Sequence, residues 1–208
     1  MRHITGVKRI KVGHAGTLDP MATGLLIICT GKFTKKLTDF QGLDKTYTGT
    51  LQLGKTTPSY DAETEANATF PTEHITDELL HEKTKQFTGD IEQIPPMYSA
   101  IKVDGKRLYK AARRGEVVER KPRNVRVDAF DLTRIELPEV DFSVTCSKGT
   151  YIRSLAYDLG EAVDSGAYLT ALCRTRIGDF KLEDAWDLEE LIAMLEVIMN
   201  EKNEDETL

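Results

Sequence analysis

Eight residues near the start of the chain, Gly13-His14-Ala15-Gly16-Thr17-Leu18-Asp19-Pro20, pin one carboxylate between an apolar residue and a proline, just after a histidine and two glycines. Pro20 fixes its own φ and biases Asp19 toward an extended conformation, while Gly13 and Gly16 allow turns that a Cβ would resist. Such a loop can hold a carboxylate rigidly at a cleft, which suits a nucleophile or a general base. The same residue types also build ordinary turns in which Asp19 bonds only local amides, and spacing alone favours that reading.

Elements able to position such a loop are legible on both sides of it. The apolar run Ala22–Gly31 suits a buried strand or the first turns of a core helix. Lys45–Gly54 alternates, with Tyr47, Gly49, Leu51 and Leu53 on one face and threonines and Gln52 on the other, and so predicts a strand. By pattern alone Tyr47 is one aromatic of a core face. Thr57–Thr72 is polar, contains two prolines and predicts a loop. Thr76 can cap a helix whose first turn holds Asp77 and Glu78, whose face carries Leu80, Thr84 and Phe87, and which Gly89 stops. Lys106–Arg114 predicts a basic helix ending at Gly115. Arg123–Leu137 and Val140–Ser147 predict strands around a turn near Pro138. Thr150–Val163 predicts a helix with the stripe Ile152, Leu155, Ala156, Leu159 and Val163. Asp187 and Glu190 form a capping-box pattern before Leu188, Leu191, Ile192, Leu195 and Met199. Strands and helices mix without regular βαβ alternation, so the expected class is α+β.

Composition narrows the function classes. Apolar residues make up 40% and charged residues 30% of the 208, an ordinary globular balance. No apolar run reaches the roughly 20 residues of a membrane helix, and no secretory h-region follows Met1. Cys29, Cys146 and Cys173 lack metal-ligand spacing and fit a reducing cytoplasm, packing as small hydrophobes. The four histidines are scattered, and no phosphate-cradling or dinucleotide glycine motif is present. The net charge of −6 conceals two basic blocks, residues 1–60 at +6 and 93–127 at +7, set in acidic surroundings. A local basic patch, rather than net charge, is what attracts phosphate.

The octet with Ala22-Thr23-Gly24 resembles the signature of the TruB family of tRNA pseudouridine synthases. Asp44-Lys45-Thr46-Tyr47, Ile94-Pro95-Pro96-Met97-Tyr98-Ser99-Ala100-Ile101-Lys102 and Ser147-Lys148-Gly149-Thr150-Tyr151-Ile152-Arg153 resemble three further family segments, in the same order. The similarity spans Val12 to Phe180.

The resemblance implies a pseudouridine synthase-like fold: a mixed, mostly antiparallel sheet flanked by helices and loops around a central cleft. It implies isomerisation of uridine to pseudouridine in the tRNA T loop (position 55) by base flipping, without cofactor or metal. Asp19 matches the catalytic aspartate, and Arg153 is the guanidinium that pairs with it. Tyr47 matches the active-site tyrosine that stacks on the base, while Tyr151 and Leu172 match the uracil pocket. His14 matches the residue that enters the T loop in place of the flipped nucleotide. Read alone, His14 is a local hydrogen-bonding residue and Arg153 a solvated one. Lys106, Arg107, Arg113 and Arg114, with the segment Arg120–Arg126, are candidate phosphate contacts. The expected organisation is a catalytic domain over residues 1–199 and an acidic, disordered tail over 200–208. Compared with the family pattern the start is short, and no C-terminal RNA-binding domain is expected. The expected protein is a cytoplasmic monomer whose partner is the tRNA T arm. The alternative is a tRNA-binding or tRNA-folding protein that uses the same cleft without turnover.

Overall fold

The computed structural model describes residues 10–103 and 105–205, with the side chains of Lys102, Lys106 and residues 199–205 outside that description. In chain order the elements are β1 (Val12–His14), β2 (Thr23–Gly24), β3 (Ile28–Thr30), α1 (Leu37–Gly42), β4 (Lys45–Leu53), β5 (Lys55–Thr56) and β6 (Ala68–Thr69). There follow α2 (Asp77–Thr84), β7 (Gly89–Gln93), β8 (Lys102–Val103), β9 (Lys106–Arg107) and α3 (Leu108–Ala112). The long strands β10 (Arg123–Glu136) and β11 (Glu139–Cys146) then lead to α4 (Ile152–Ala162), β12 (Ala167–Ile177), β13 (Phe180–Lys181) and α5 (Leu188–Asp205).

One sheet organises the molecule, with strand order β13-β12-β4-β11-β10-β7. Its pairings are antiparallel except where β2 runs parallel to β12, which is the expected mixed, mostly antiparallel α+β arrangement. Period-two burial explains its inner face. Val140, Phe142, Val144 and Cys146 of β11 are buried, and Leu51 and Leu53 of β4 sit beside them. The stripe of α4 (Ile152, Leu155, Ala156 and Leu159) covers that face, while Leu80 of α2 closes the β10 side. Each fully buried leucine contributes about 2 kcal/mol of apolar transfer free energy.

Strand β12 breaks the period. Its register against β4 slips after Leu169 and again after Arg174, so the buried positions are Ala167, Leu169, Leu172, Arg174 and Ile177. A bulge inserts one residue and moves the next part of the strand to the other face. The hydroxyls of the bulge residues Thr170 and Thr175 donate to the carbonyls of Thr50 and Thr46. Just past the first bulge Gly49 pairs with Leu172, and a Cβ on Gly49 would lie 2.5 Å from the Ala171 carbonyl oxygen and 2.8 Å from the Phe142 ring.

Several expected boundaries move. Ala22–Gly31 is two short strands, β2 and β3, rather than one continuous element. The expected basic helix over Lys106–Arg114 is instead the small hairpin β8–β9 followed by α3, because Leu108 and Ala111 turn inward. The predicted loop Thr57–Thr72 contains β6, and its first half is buried at Thr57, Ser59 and Asp61. Thr76 caps α2 as expected, its hydroxyl accepting from the Leu79 amide at 3.2 Å. Asp187 caps α5 through the amides of Glu189 and Glu190. Leu188 is exposed, whereas Leu191, Ile192 and Leu195 are half-buried. Met199 lies outside the described side chains. The helix continues to Asp205, so the first residues of the expected tail are helical.

Candidate active site

Asp19 lies on the loop between β1 and β2. Gly16 takes φ of +102°, a left-handed conformation that favours glycine, and the Ala22 amide donates to the Asp19 carbonyl at 2.9 Å. The carboxylate receives a two-pronged contact from Arg153: Nε to Oδ2 at 2.9 Å and Nη2 to Oδ1 at 2.7 Å. This fork geometry is what makes arginine, rather than lysine, suited to hold a carboxylate in one orientation.

Arg153 is 3% exposed and sits in the first turn of α4, where the helix dipole disfavours a cation. Its surroundings offset that. Nη1 donates to the Ser59 carbonyl at 3.1 Å, and Nη2 donates to the Tyr98 carbonyl at 3.0 Å. A second carboxylate, Asp61, fully buried, places Oδ2 3.4 Å from Nη1. Asp61 is itself held by the Ser59 hydroxyl at 2.6 Å and the Glu63 amide at 2.9 Å. Between Ser59 and Asp61, Tyr60 adopts φ of +63° and stacks on Tyr157 with centroids 4.0 Å apart. That strained residue turns both neighbours onto Arg153. One guanidinium therefore joins α4, the Asp19 loop, the buried turn at 59–61 and the 94–101 segment. The two carboxylates outnumber it. Burial and the charges of Asp61 and Glu63 raise the Asp19 pKa above its ordinary value, against the lowering effect of Arg153.

Tyr47 lies on β4, directly across from Arg174 of β12. Burial raises its phenol pKa, and a hydrogen bond and charge from Arg174 oppose that rise. Leu172 is buried opposite Gly49, on the same face and two residues before Arg174. Tyr151 is half-buried at the entrance to α4. Its backbone is clamped by Gln93, whose Oε1 accepts from the Tyr151 amide at 2.7 Å and whose Nε2 donates to the Tyr151 carbonyl at 3.0 Å.

His14 is exposed at the end of β1, paired with Ile28. Arg107, Arg113 and Arg114 are exposed on the hairpin–α3 unit. Arg113 already bridges Glu63 at 3.1 Å, and Arg114 bridges Glu116 at 2.7 Å. The Lys106 side chain lies outside the described residues. Arg120 donates to the Pro95 carbonyl at 3.1 Å and so braces the 94–101 segment. Arg126 pairs with Asp44 and Asp128 at the surface.

Sequence reasoning missed Asp61, Ser59, Gln93 and Arg174. Among the described residues, no cluster of histidine, cysteine, aspartate and glutamate could hold a metal ion. Burial pushes the Cys146 thiol up to about 11, which keeps it protonated and unreactive. A groove of about 450 Å³ lies on the Thr48 and Thr50 side of β4, lined also by Met21, Thr170 and Cys173. It does not include the Asp19–Arg153 pair.

Comparison with known proteins places the chain in a family. The family model described as TruB family pseudouridylate synthase (N terminal domain) matches residues 2–152, and that for the tRNA pseudouridylate synthase B C-terminal domain matches residues 153–208. The boundary falls in the first turn of α4, yet the central sheet crosses it, because β12 pairs with β4. A protein of Flavobacterium johnsoniae named tRNA pseudouridine synthase B is 61% identical over 181 residues, covering 87% of this chain and 79% of its own. Its namesake in Phocaeicola vulgatus is 60% identical over 184 residues, covering 88% and 78%. Among solved structures, a chain of a Cbf5-Nop10-Gar1 complex superposes with a TM-score of 0.70 at 28% identity over 92% of this chain. This chain spans about half of that one, 47%. Fold and site together define a pseudouridine synthase, an isomerase. Within that class, the chain belongs to the TruB family.

Proposed function

We propose that this enzyme isomerises uridine to pseudouridine in the T loop of tRNA, flipping the target base into the cleft beside Asp19. The reaction breaks the bond between uracil N1 and ribose C1′ and forms one from C5 to C1′. The C5 proton leaves to solvent and N1 gains one, so no net redox change occurs. Asp19 acts in its ionised form, as nucleophile toward the nucleotide or as base toward a sugar proton. Arg153 holds it in orientation. Tyr47 stacks on the flipped base, Tyr151 and Leu172 border the uracil, and His14 fills the vacated stack, offsetting part of the few kcal/mol that flipping costs. Lys106, Arg107, Arg113 and Arg114 contact phosphates. The enzyme works as a cytoplasmic monomer. No helix among the described residues is long and apolar enough to cross a membrane.

The observation that carries this reading is the two-pronged Asp19–Arg153 pair, set on the loop whose sequence matches the family signature. The test is tritium release from a T-arm transcript labelled at uridine C5. Release by the wild type that disappears in Asp19→Asn supports the proposal. A folded wild type that binds the transcript without releasing tritium refutes it.

A further inference from the structure

Arg174 has no part in the mechanism above, yet it is 2% exposed and lies beside it. Its Nε donates to the Leu25 carbonyl at 2.8 Å and its Nη2 to the Gly16 carbonyl at 3.1 Å. The backbone adds a third tie, since the Leu25 amide donates to the Arg174 carbonyl at 2.8 Å. Gly16 precedes Asp19 in its loop, and Leu25 follows it just past β2. Across the β12–β4 ladder Arg174 stands directly opposite Tyr47. Among the described residues no carboxylate pairs with Arg174. A buried cation satisfied only by neutral oxygens is an expensive way to fill space. A guanidinium, with five donors in a rigid plane, is nevertheless the side chain that can reach two such acceptors nine residues apart at once.

We propose that Arg174 is a positioning residue for the reaction: from the strand position directly across from Tyr47 it clasps the Asp19 segment at Gly16 and Leu25, so that Asp19 and the stacking ring keep a set distance. This rests on the proposed function. The charged and titratable groups facing Tyr47 are Arg174 from β12, Cys146 from β11 and Asp19 from the loop. Arg174 is thus the cation that acts on the phenol, and losing it moves the phenol titration upward.

The test compares wild type, Arg174→Gln and Arg174→Lys in the tritium-release assay under single-turnover and steady-state conditions. Hydrogen exchange of the amides between residues 15 and 25 is followed in parallel. Arg174→Gln is expected to lower kcat by roughly 30- to 100-fold, the scale of a misplacement near 1 Å. KM for the transcript should stay within about threefold, because uniform binding is untouched. Arg174→Lys, which keeps the charge but not the fork, should recover part of the loss. Faster exchange confined to the 15–25 amides is expected in both variants.

A folded Arg174→Gln enzyme with unchanged kcat overturns the proposal, as does a loss that falls on KM alone. Should Arg174→Gln not fold, Arg174→Lys decides: a five- to tenfold loss of kcat supports the clasp, and full activity with unchanged exchange overturns it. If the wild type itself releases no tritium, the functional reading fails, and exchange still decides whether Arg174 holds the loop.

Discussion

Two arginines buried to almost the same degree flank the Asp19 loop, and they are compensated in opposite ways. Arg153 faces two carboxylates, Asp19 and Asp61, and two backbone carbonyls. Arg174, opposite Tyr47 on the sheet, meets the carbonyls of Gly16 and Leu25 and, among the described residues, no carboxylate. The first surrounding is electrostatically demanding: removing the cation leaves the buried anion of Asp61 and the half-buried one of Asp19. The second is geometrically demanding but electrically mild, since its acceptors are neutral. The site therefore divides its work between an arginine that governs the charge of Asp19 and one that governs where Asp19 stands.

The largest effect expected from this contrast is chemical. Asp19→Asn should lower tritium release by at least about 1,000-fold, as removal of a group that acts only in the transition state does, with little change in the urea midpoint. Arg153→Met should lower activity by on the order of 100- to 1,000-fold. It should also cost about 3–5 kcal/mol of stability, because it strands Asp19 and Asp61. The same substitution at Arg174 should cost less, about 1–3 kcal/mol, the penalty of unmet neutral acceptors. Urea titrations of the two variants at one pH check the order. If Arg174→Met proves the more costly, the comparison fails.

The contrast has a pH signature. In the proposed mechanism Asp19 acts ionised, and burial with Asp61 and Glu63 raises its pKa above the ordinary 3.8. Activity should therefore fall on acidification at a higher pH than an ordinary aspartate would give. Asp61→Asn removes one of the charges that raise it, so the acid limb of kcat should move to lower pH, with a threefold to tenfold loss at neutrality. An acid limb that moves upward would show that Asp61 acts mainly by holding Arg153. Asp158 of α4 supplies the case of a carboxylate with no arginine: burial, then Glu161, raises its pKa to about 6. Its folded pKa lies above its unfolded one, so its favourable contribution is present at low pH and lost as pH rises through about 6. Asp158→Asn should accordingly raise the unfolding free energy from urea titration at pH 8, by on the order of 1–3 kcal/mol, and leave it nearly unchanged at pH 4.

The legibility of the chain divides along the same line. Tyr47 and the strand bearing it could be read from alternation, and the α4 stripe from helical spacing, because both are local periods. The octet around Asp19 pointed to a held carboxylate without saying what held it. Asp61 lies in a stretch whose prolines and polar residues read as a surface loop. Nothing local reveals that α4 and the Tyr60–Tyr157 stack enclose it. Arg174 was hidden by the bulges in β12, since a strict period of two from Ala167 and Leu169 would turn Ala171 and Cys173 inward instead. Arg153 looked like a solvated helix-start residue until a carboxylate 134 positions earlier in the chain was brought to it. The hairpin–α3 unit misled in the other direction, because a run of basic residues masked the two, Leu108 and Ala111, that decide its packing.

The smallest effects belong to the outer arginines, and they connect back to the inner pair. Arg113 and Arg114 hold Glu63 and Glu116 in exposed bridges, each worth no more than about 1 kcal/mol, so an RNA phosphate can compete for either cation. Arg113→Ala and Arg114→Ala should each weaken T-arm binding by roughly two- to fivefold and reduce the salt slope by about 0.7–1. Arg114→Ala should do no more than that. Arg113→Ala should do slightly more, because Glu63 is one of the charges that raise the pKa of Asp19. Freed of its partner, that carboxylate should move the acid limb of kcat upward by a few tenths of a pH unit, the direction opposite to Asp61→Asn. Binding isotherms at several salt concentrations, beside pH–rate profiles of the two variants, separate these outcomes. Identical profiles for Arg113→Ala and Arg114→Ala would show that the outer charges position the RNA without reaching the catalytic carboxylate.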